Sequence, residues 1–160
     1  MRNRRPIASW EQYCDLENVS RETIAALRIF ERLLMDWSRI INLVSESTRD
    51  QLWLRHFADS LQLRKFVGSA NEIIDIGSGA GFPGLVLAIN SIGAQSMFHL
   101  VESDQRKCAF MRAVALETGA PVTIHCARIE HIIKDLPAAD VVTARALKPL
   151  PQLVSLAASK

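Results

Sequence analysis

The chain has 160 residues, 49% of them hydrophobic, and a formal net charge of +2. This length and composition suit one packed domain, and the charge is too small to indicate nucleic-acid binding by itself. No apolar run reaches the roughly 18–20 residues of a membrane span, and no signal-peptide core follows the N-terminus. Cys14, Cys108 and Cys126 lack metal-ligand spacing, and their odd number favours free thiols. We therefore expect a cytoplasmic protein with no metal and no membrane partner.

Residues 1–70 have the apolar periodicity of helices. Ser9 and Gln12 have capping-box spacing, and Ser20 can cap a second helix with Glu22 in its first turn. Apolar residues then recur every three or four positions up to residues 42–45, where we expect this long amphipathic helix to end. Its predicted apolar face consists of Ile24, Leu27, Phe30, Leu34, Trp37 and Ile41.

A third helix is predicted to begin at Ser47, Thr48 or Asp50. Its expected apolar side consists of Leu52, Trp53, His56, Phe57 and Leu61.

Residues 71–160 alternate short β-rich runs with helical stretches. Strands are expected at residues 73–76, 97–101, 122–125 and 141–143, and helices at about 83–92, 104–118 and 128–135. This alternation predicts a parallel α/β sheet of the Rossmann-like type, behind an N-terminal helical segment over residues 1–70. In such sheets a ligand binds at the carboxyl ends of the strands, near the switch point beside the first strand.

A glycine loop follows the first strand. Gly77, Gly79 and Gly81 alternate directly after it, and Pro83 suits the first turn of the next helix. Glycines here allow positive φ angles and let a ligand approach the backbone closely. Residues 79–84 also satisfy G-x-G-x-x-G, so the loop by itself leaves a dinucleotide-binding oxidoreductase open.

Two acidic residues narrow the choice of ligand. Glu102 ends the second strand, where a carboxylate can accept hydrogen bonds from both hydroxyls of a ribose. Asp75 lies two residues before the first glycine, where it would repel a pyrophosphate but attract the ammonium and sulfonium of S-adenosylmethionine. A purely structural role for Asp75, capping the amides of the loop, is compatible with this. Glu102 suits NAD and S-adenosylmethionine equally, so Asp75 is the residue that favours a methyltransferase over an NAD-linked oxidoreductase.

Residues after the third and fourth strands bear on the reaction. Ile129 and Glu130 either edge an adenine pocket or simply begin a helix, and Arg145 lies where the fourth strand meets the expected site. The chain lacks the Asn/Asp-Pro-Pro-aromatic motif of exocyclic-amine methylation, and no cysteine lies near this edge for attack on pyrimidine C5. Guanine N7 has a free lone pair, so its methylation requires orientation and no general base.

Six segments together resemble the small-subunit ribosomal RNA methyltransferase G family, also called glucose-inhibited division protein B. These segments are residues 42–45 (Asn-Leu-Val-Ser), 55–60 (Arg-His-Phe-Ala-Asp-Ser), 75–84 with the glycine loop, 102–103 (Glu-Ser), 128–130 (Arg-Ile-Glu) and 143–146 (Thr-Ala-Arg-Ala).

The resemblance, which runs from about residue 20 to residue 160, implies methylation of guanine N7 in 16S rRNA. The implied cofactor is S-adenosylmethionine, and the implied partner is 16S rRNA or the small ribosomal subunit, with the protein acting as a monomer. Candidate catalytic residues are Arg145, Asn42 and His56, although a hydrogen-bonded structural role for His56 is also open. Arg55 and Asp59 fall on the same N-terminal motifs and are expected to shape the RNA side of the pocket. Candidate cofactor-binding residues are Asp75, Gly77, Gly79, Phe82, Glu102, Ile129, Glu130 and Arg145.

The family's sheet continues beyond a helix like residues 150–158 into further strands, whereas four strands are predicted here. We therefore expect a methyltransferase sheet that is short at its C-terminal side, over residues 71–160. Two alternatives stay open at this point: an NAD-linked oxidoreductase, and a non-catalytic RNA-binding or ribosome-assembly protein on the same scaffold.

Overall fold

The computed structural model describes residue 14 and residues 18–45, 51–145 and 150–157. The predicted capping box at Ser9 and Gln12 and the predicted helix start at Ser47, Thr48 or Asp50 lie outside these residues. No helix in the described ranges is long and apolar enough to cross a membrane. Cys108 and Cys126 are free thiols, as predicted.

The first long helix, α1, spans Arg21–Trp37. Ser20 is its N-cap, as predicted, and the Ser20 hydroxyl accepts a 3.1 Å hydrogen bond from the amide of Thr23. The helix ends at Trp37, before the predicted end at residues 42–45, because the chain leaves the helix through a turn at residues 38–40. Ile41 is buried beyond the helix and is not part of its face.

The region of the third predicted helix is a series of short helical segments. A π-helical turn at Trp53–Ala58 is followed by α2 at Asp59–Leu61 and α3 at Arg64–Val67. The change to wider π-type winding moves side chains out of the strict 3.6-residue repeat. Phe57 and Leu61 are nevertheless fully buried, as the apolar pattern predicts.

Four parallel strands form one sheet in the order β3-β2-β1-β4. The strands are β1 at Glu72–Ile76, β2 at Met97–Glu102, β3 at Val122–Cys126 and β4 at Val141–Ala144, each within one residue of the prediction at either end. The strand order reverses direction beside β1, between β2 on one side and β4 on the other. The predicted parallel α/β fold is thereby confirmed.

The connecting helices are α4 at Gly84–Asn90, α5 at Gln105–Thr118, α6 at Ile129–Ile132 and α7 at Leu150–Ala157. Pro83 is the N-cap residue of α4, one position before the first turn in which it was expected. Asp104 caps α5 and Gly119 ends it in the left-handed conformation. The helix predicted at 128–135 contains only one regular turn, α6.

The sheet separates two hydrophobic clusters. On one face, Ile73, Phe98 and Leu100 join the main cluster, which also contains the apolar sides of α1, α4 and α5. On the other face, Ile74 and Val101 pack against Ile129 and its neighbours on the segment from α6 to β4. Because α1 shares the main cluster with the sheet, the N-terminal helix is packed as part of the same body.

Phe30 lies at the centre of an aromatic group in the main cluster. It is fully buried, and its ring centroid is 5.1 Å from that of Phe82, 5.3 Å from that of Phe57 and 5.9 Å from that of Phe110. Aromatic pairs at such separations add to the stabilisation from burial alone.

Phe30→Ala is therefore expected to lower the free energy of unfolding by about 3–5 kcal/mol, through lost burial and the cavity left behind. Urea denaturation followed by circular dichroism measures the change. Leu116→Ala is the control, because Leu116 is 86% exposed on α5, and it should shift the unfolding free energy by less than about 0.5 kcal/mol. Equal effects of the two substitutions would contradict the packing described here.

Candidate active site

A cavity of about 280 Å³ opens at the carboxyl ends of the strands. It lies where the topology places ligands in open α/β sheets, beside the end of β1. Six of the predicted site residues line it: Gly77, Gly79, Glu102, Ile129, Glu130 and Arg145. The other lining residues are Val101, Ser103, Lys107, Ala127 and Arg128. The predicted residues Asn42, His56, Asp75 and Phe82 are not among them.

The glycine loop is folded tightly after β1. The amides of Gly77 and Ser78 both donate to the carbonyl of Val101, at 2.9 and 3.0 Å. Gly77 and Gly79 have φ angles of 70° and 57°, a region in which residues with a Cβ are disfavoured. The loop therefore presents bare backbone to the cavity, which allows a ligand to approach closely.

Asp75 lies beneath this loop and is only 1% exposed, so its carboxyl group is buried. Its Oδ1 accepts a 2.7 Å hydrogen bond from the hydroxyl of Thr143, and its Oδ2 accepts one of 3.3 Å from the amide of Gly84. Burial raises the pKa of Asp75, and the hydrogen bonds from Thr143, Ser78 and Gly84 act against that rise. Asp75 thus connects β1, β4 and the start of α4, and it does not line the cavity.

The residue at position 84 must be small because of this carboxylate. A Cβ on Gly84 would lie 2.7 Å from Oδ2 of Asp75, much closer than van der Waals contact. The fourth glycine of the sequence motif is therefore explained by helix-to-strand packing.

Glu102 lies at the end of β2 with both carboxylate oxygens engaged by backbone amides. Its Oε2 accepts from Gly79 at 3.0 Å, and its Oε1 accepts from Ser103 at 2.7 Å and Asp104 at 2.8 Å. These bonds fix the orientation of the side chain on the cavity wall. The Ser103 hydroxyl also donates to Oε1, at 3.4 Å, so the remaining capacity lies on Oε2, which has one donor and can accept from a hydroxyl group of a ligand.

The opposite wall comes from the segment after β3. The amide of Ala127 donates to the carbonyl of Glu102 at 3.0 Å, which fixes this segment to β2. Ile129, 5% exposed, contributes an apolar surface, while Glu130 is exposed at the rim.

Arg145 is held at the cavity by the π-helical turn. Its Nη2 donates to Nδ1 of His56 at 3.1 Å, and its Nη1 lies 3.9 Å from Oδ2 of Asp59. Its guanidinium carbon is 5.2 Å from the centroid of the Phe82 ring. Burial lowers the pKa of Arg145 and also that of His56, and the nearby cation Arg145 lowers the pKa of His56 further.

Three predicted site residues occupy other positions. Phe82 is 3% exposed and its ring packs among Phe30, Phe57 and His56, so its side chain belongs to the aromatic group. Asn42 is exposed in the segment that follows α1. His56 does not line the cavity, and among the described residues it is connected to the lining by its hydrogen bond with Arg145.

Sequence reasoning did not single out Lys107 and Arg128 as site residues. Lys107 lies on the first turn of α5, five residues after Glu102, and Arg128 immediately precedes Ile129. Their positions next to predicted site residues were the available signal. With Arg145 they give the cavity wall three cationic side chains, against the carboxylates of Glu102 and Glu130.

The fold is the Rossmann-like fold of S-adenosylmethionine-dependent methyltransferases. The chain is similar to the crystal structure of cofactor-bound Rv0187 from MTB, with a TM-score of 0.62 and 18% identity, over 97% of this chain and 68% of that one. It is also similar to the O-methyltransferase from Bacillus cereus solved in complex with SAH, with a TM-score of 0.57 and 14% identity, over 92% and 65% of the two chains. At these identities the likeness establishes the fold.

The family follows from closer relatives. Residues 23–160 match the family model of GidB, the rRNA small subunit methyltransferase G. The protein of that name from Parvibaculum lavamentivorans is 53% identical over 152 residues, and the one from Rhodospirillum centenum is 52% identical over 141 residues. The alignments cover 92% and 88% of this chain, and 66% and 63% of those relatives, so this chain spans about two thirds of their length. The chain belongs to the rRNA small subunit methyltransferase G family.

The buried carboxylate of Asp75 gives a pH-dependent prediction. Because its pKa is raised in the folded protein, the folded state binds a proton at Asp75 more tightly than the unfolded state does. Its contribution to stability is therefore present at low pH and is lost as pH rises above the unfolded value of 3.8. Asp75→Asn is expected to gain stability relative to the unsubstituted protein as pH rises above 3.8, as measured by urea denaturation.

Asp140→Asn is the matched control, because the pKa of Asp140 is shifted in the opposite direction to that of Asp75. Oδ2 of Asp140 accepts from the amides of Asn71 and Glu72, which lower the pKa of that carboxyl. The stability that Asp140 contributes is lost as pH falls, so Asp140→Asn should lose stability relative to the unsubstituted protein as pH rises. A parallel pH response of the two variants would contradict the assignment for Asp75.

Proposed function

We propose that this protein is an S-adenosylmethionine-dependent methyltransferase that modifies N7 of a guanine in 16S rRNA. The observation that carries the proposal is the convergence of six predicted cofactor residues on one cavity at the carboxyl ends of the strands, in a chain of the rRNA small subunit methyltransferase G family. On this proposal the partner is 16S rRNA or the small ribosomal subunit, and the protein acts as a monomer in the cytoplasm.

The residues of the cavity fit S-adenosylmethionine. Glu102 is oriented by three amides and can accept hydrogen bonds from ribose hydroxyls. Gly77 and Gly79 offer a surface without side chains, and Ile129 offers an apolar surface against which an adenine ring can pack. Glu130, at the rim, can interact with a donor such as the exocyclic amine of adenine.

The methionine end of S-adenosylmethionine carries a carboxylate, which requires a cation in the site. Arg145 supplies that cation, and guanidinium groups recognise carboxylates well. Asp75, which is buried beneath the loop, acts on this proposal by fixing the loop and β4 and by its negative charge below the site. The side chain of Phe82 is assigned the same supporting role, because it lies under Arg145 in the aromatic group.

The chemistry demands little of the protein beyond orientation. The bound cofactor supplies a methyl group on a sulfonium, and the lone pair of guanine N7 can accept it without prior removal of a proton. The protein's task is to hold the cofactor and to present the base. We assign Arg145 to the first part of this task, while Asn42, Arg55 and Asp59, which are exposed, remain candidates for contact with RNA.

Titration calorimetry with S-adenosylhomocysteine tests the cofactor site. Saturable binding to the unsubstituted chain is expected, and Glu102→Ala should weaken it by about tenfold or more, because buried polar contacts to the ligand are lost. The matched control is Glu117→Gln, since Glu117 lies near the end of α5 and pairs with Arg32; its affinity should be unchanged. Binding of NADH in place of S-adenosylhomocysteine would overturn the proposal in favour of an oxidoreductase.

Methyl transfer is tested separately with small ribosomal subunits and with naked 16S rRNA. The expected result is incorporation of a labelled methyl group from S-adenosylmethionine at guanine N7, detected by chain cleavage at the modified base. Binding of S-adenosylhomocysteine and of the subunit without any incorporation would instead indicate a non-catalytic assembly protein.

A further inference from the structure

The Arg145 side chain is fixed by residues far away in the sequence. Arg145 follows β4, whereas His56 belongs to the π-helical turn, 89 positions earlier. Arg145 donates a direct hydrogen bond of 3.1 Å to His56. The carboxylate of Asp59 is further away, with its Oδ2 3.9 Å from Nη1 of Arg145, and the Asp59 side chain is 51% exposed. The separation from Asp59 is too long for a hydrogen bond, so among these two contacts only His56 accepts a direct hydrogen bond from Arg145.

We propose that His56 is a positioning residue that holds the guanidinium of Arg145 on the cavity wall and thereby sets the affinity for the carboxylate end of the cofactor. This inference rests on the proposed function for the identity of the ligand. It assigns no proton transfer to His56, which does not line the cavity.

Hydrogen-bond chemistry fixes the tautomer of His56. A guanidinium has donors only, so Nδ1 of His56 must be the acceptor and the ring proton must be on Nε2. Nε2 is buried and has no hydrogen-bond partner in the part of the chain that the structure describes. Within the described residues the ring therefore makes no second hydrogen bond that could compete with the one to Arg145, and its other contact is with the Phe82 ring.

The charge state of His56 must be neutral for this arrangement. An imidazolium has donors at both nitrogens and could not accept from Arg145. Burial and the positive charge of Arg145 lower the pKa of His56, as does Arg55, while Asp59 acts in the opposite direction. The bond is consequently intact at neutral pH, and protonation at lower pH would place two cations side by side and displace Arg145.

The test combines nuclear magnetic resonance with ligand titration. Long-range 1H–15N spectra of the uniformly labelled protein give the tautomer and pKa of His56, with its signals assigned by their loss in His56→Asn. We expect the Nε2–H tautomer, a pKa below 6.5, and a rise of that pKa in Arg145→Gln. An Nδ1–H tautomer, or a pKa that does not respond to Arg145→Gln, would overturn the inference without any ligand being present.

S-adenosylhomocysteine affinity between pH 5.5 and 8 provides the second readout. His56→Phe keeps the ring but removes the acceptor, and it should weaken binding by about tenfold at pH 7.5. In His56→Asn the side-chain oxygen can accept a hydrogen bond from Arg145. This variant should therefore bind S-adenosylhomocysteine within about threefold of the unsubstituted chain, and its affinity should not fall at low pH. Glu117→Gln is the control and should leave the affinity for S-adenosylhomocysteine unchanged, because Glu117 pairs with Arg32 and does not line the cavity.

The outcomes separate the two proposals. If the unsubstituted chain does not bind S-adenosylhomocysteine, the proposed function fails, and the spectra alone decide whether His56 positions Arg145. The amide spectrum shows whether His56→Phe is folded. If folded His56→Phe binds S-adenosylhomocysteine as well as the unsubstituted chain does, the positioning role is overturned. If His56→Phe is unfolded, the pH profile of His56→Asn decides, because a profile identical to that of the unsubstituted protein contradicts the role of His56.

Discussion

The geometry of the cavity depends on one buried carboxylate. Asp75 loses its hydration on folding, a cost that only well-placed donors can offset. Two of these donors, Thr143 on β4 and the first amide of α4, are therefore held at fixed positions relative to β1. The glycine loop runs between Asp75 and α4, and Arg145 follows Thr143 by two residues. Both the floor of the cavity and its cationic side chain thus take their positions from this interaction.

The two walls of the cavity are stabilised in different ways. Glu102 is oriented by three backbone amides, one in the glycine loop and two in the turn between β2 and α5, and these require no other side chain. Arg145 is oriented by His56 and by the Phe82 ring, and these belong to the helical region and to the aromatic group around Phe30. The N-terminal helices therefore contribute to the site without lining it, because they determine how one arginine is presented.

Local patterns in the sequence predicted the strands and most of the cavity wall. The observed strands agree with the predicted ones to within one residue at each end, because short β-branched runs bounded by turn residues have few alternative secondary structures. Glu102, Ile129 and Arg145 were found because strand ends converge at one edge of a parallel sheet. The end of α1 and the π-helical turn depend on packing between distant segments, which periodicity does not encode. The same limit applies to Asp75 and Phe82, whose positions were predicted but whose burial was not.

The packing of α1 has a consequence for synthesis of the protein. Its apolar face is covered largely by α5, and Arg32 of α1 pairs with Glu117 near the end of α5. α1 ends at residue 37 and α5 at residue 118. At a translation rate of about 5–20 residues per second, the nascent helix waits roughly 4–16 s for its partner to be made. During that interval an apolar stripe stays exposed on the growing chain, and transiently exposed apolar surface of this kind is prone to aggregation.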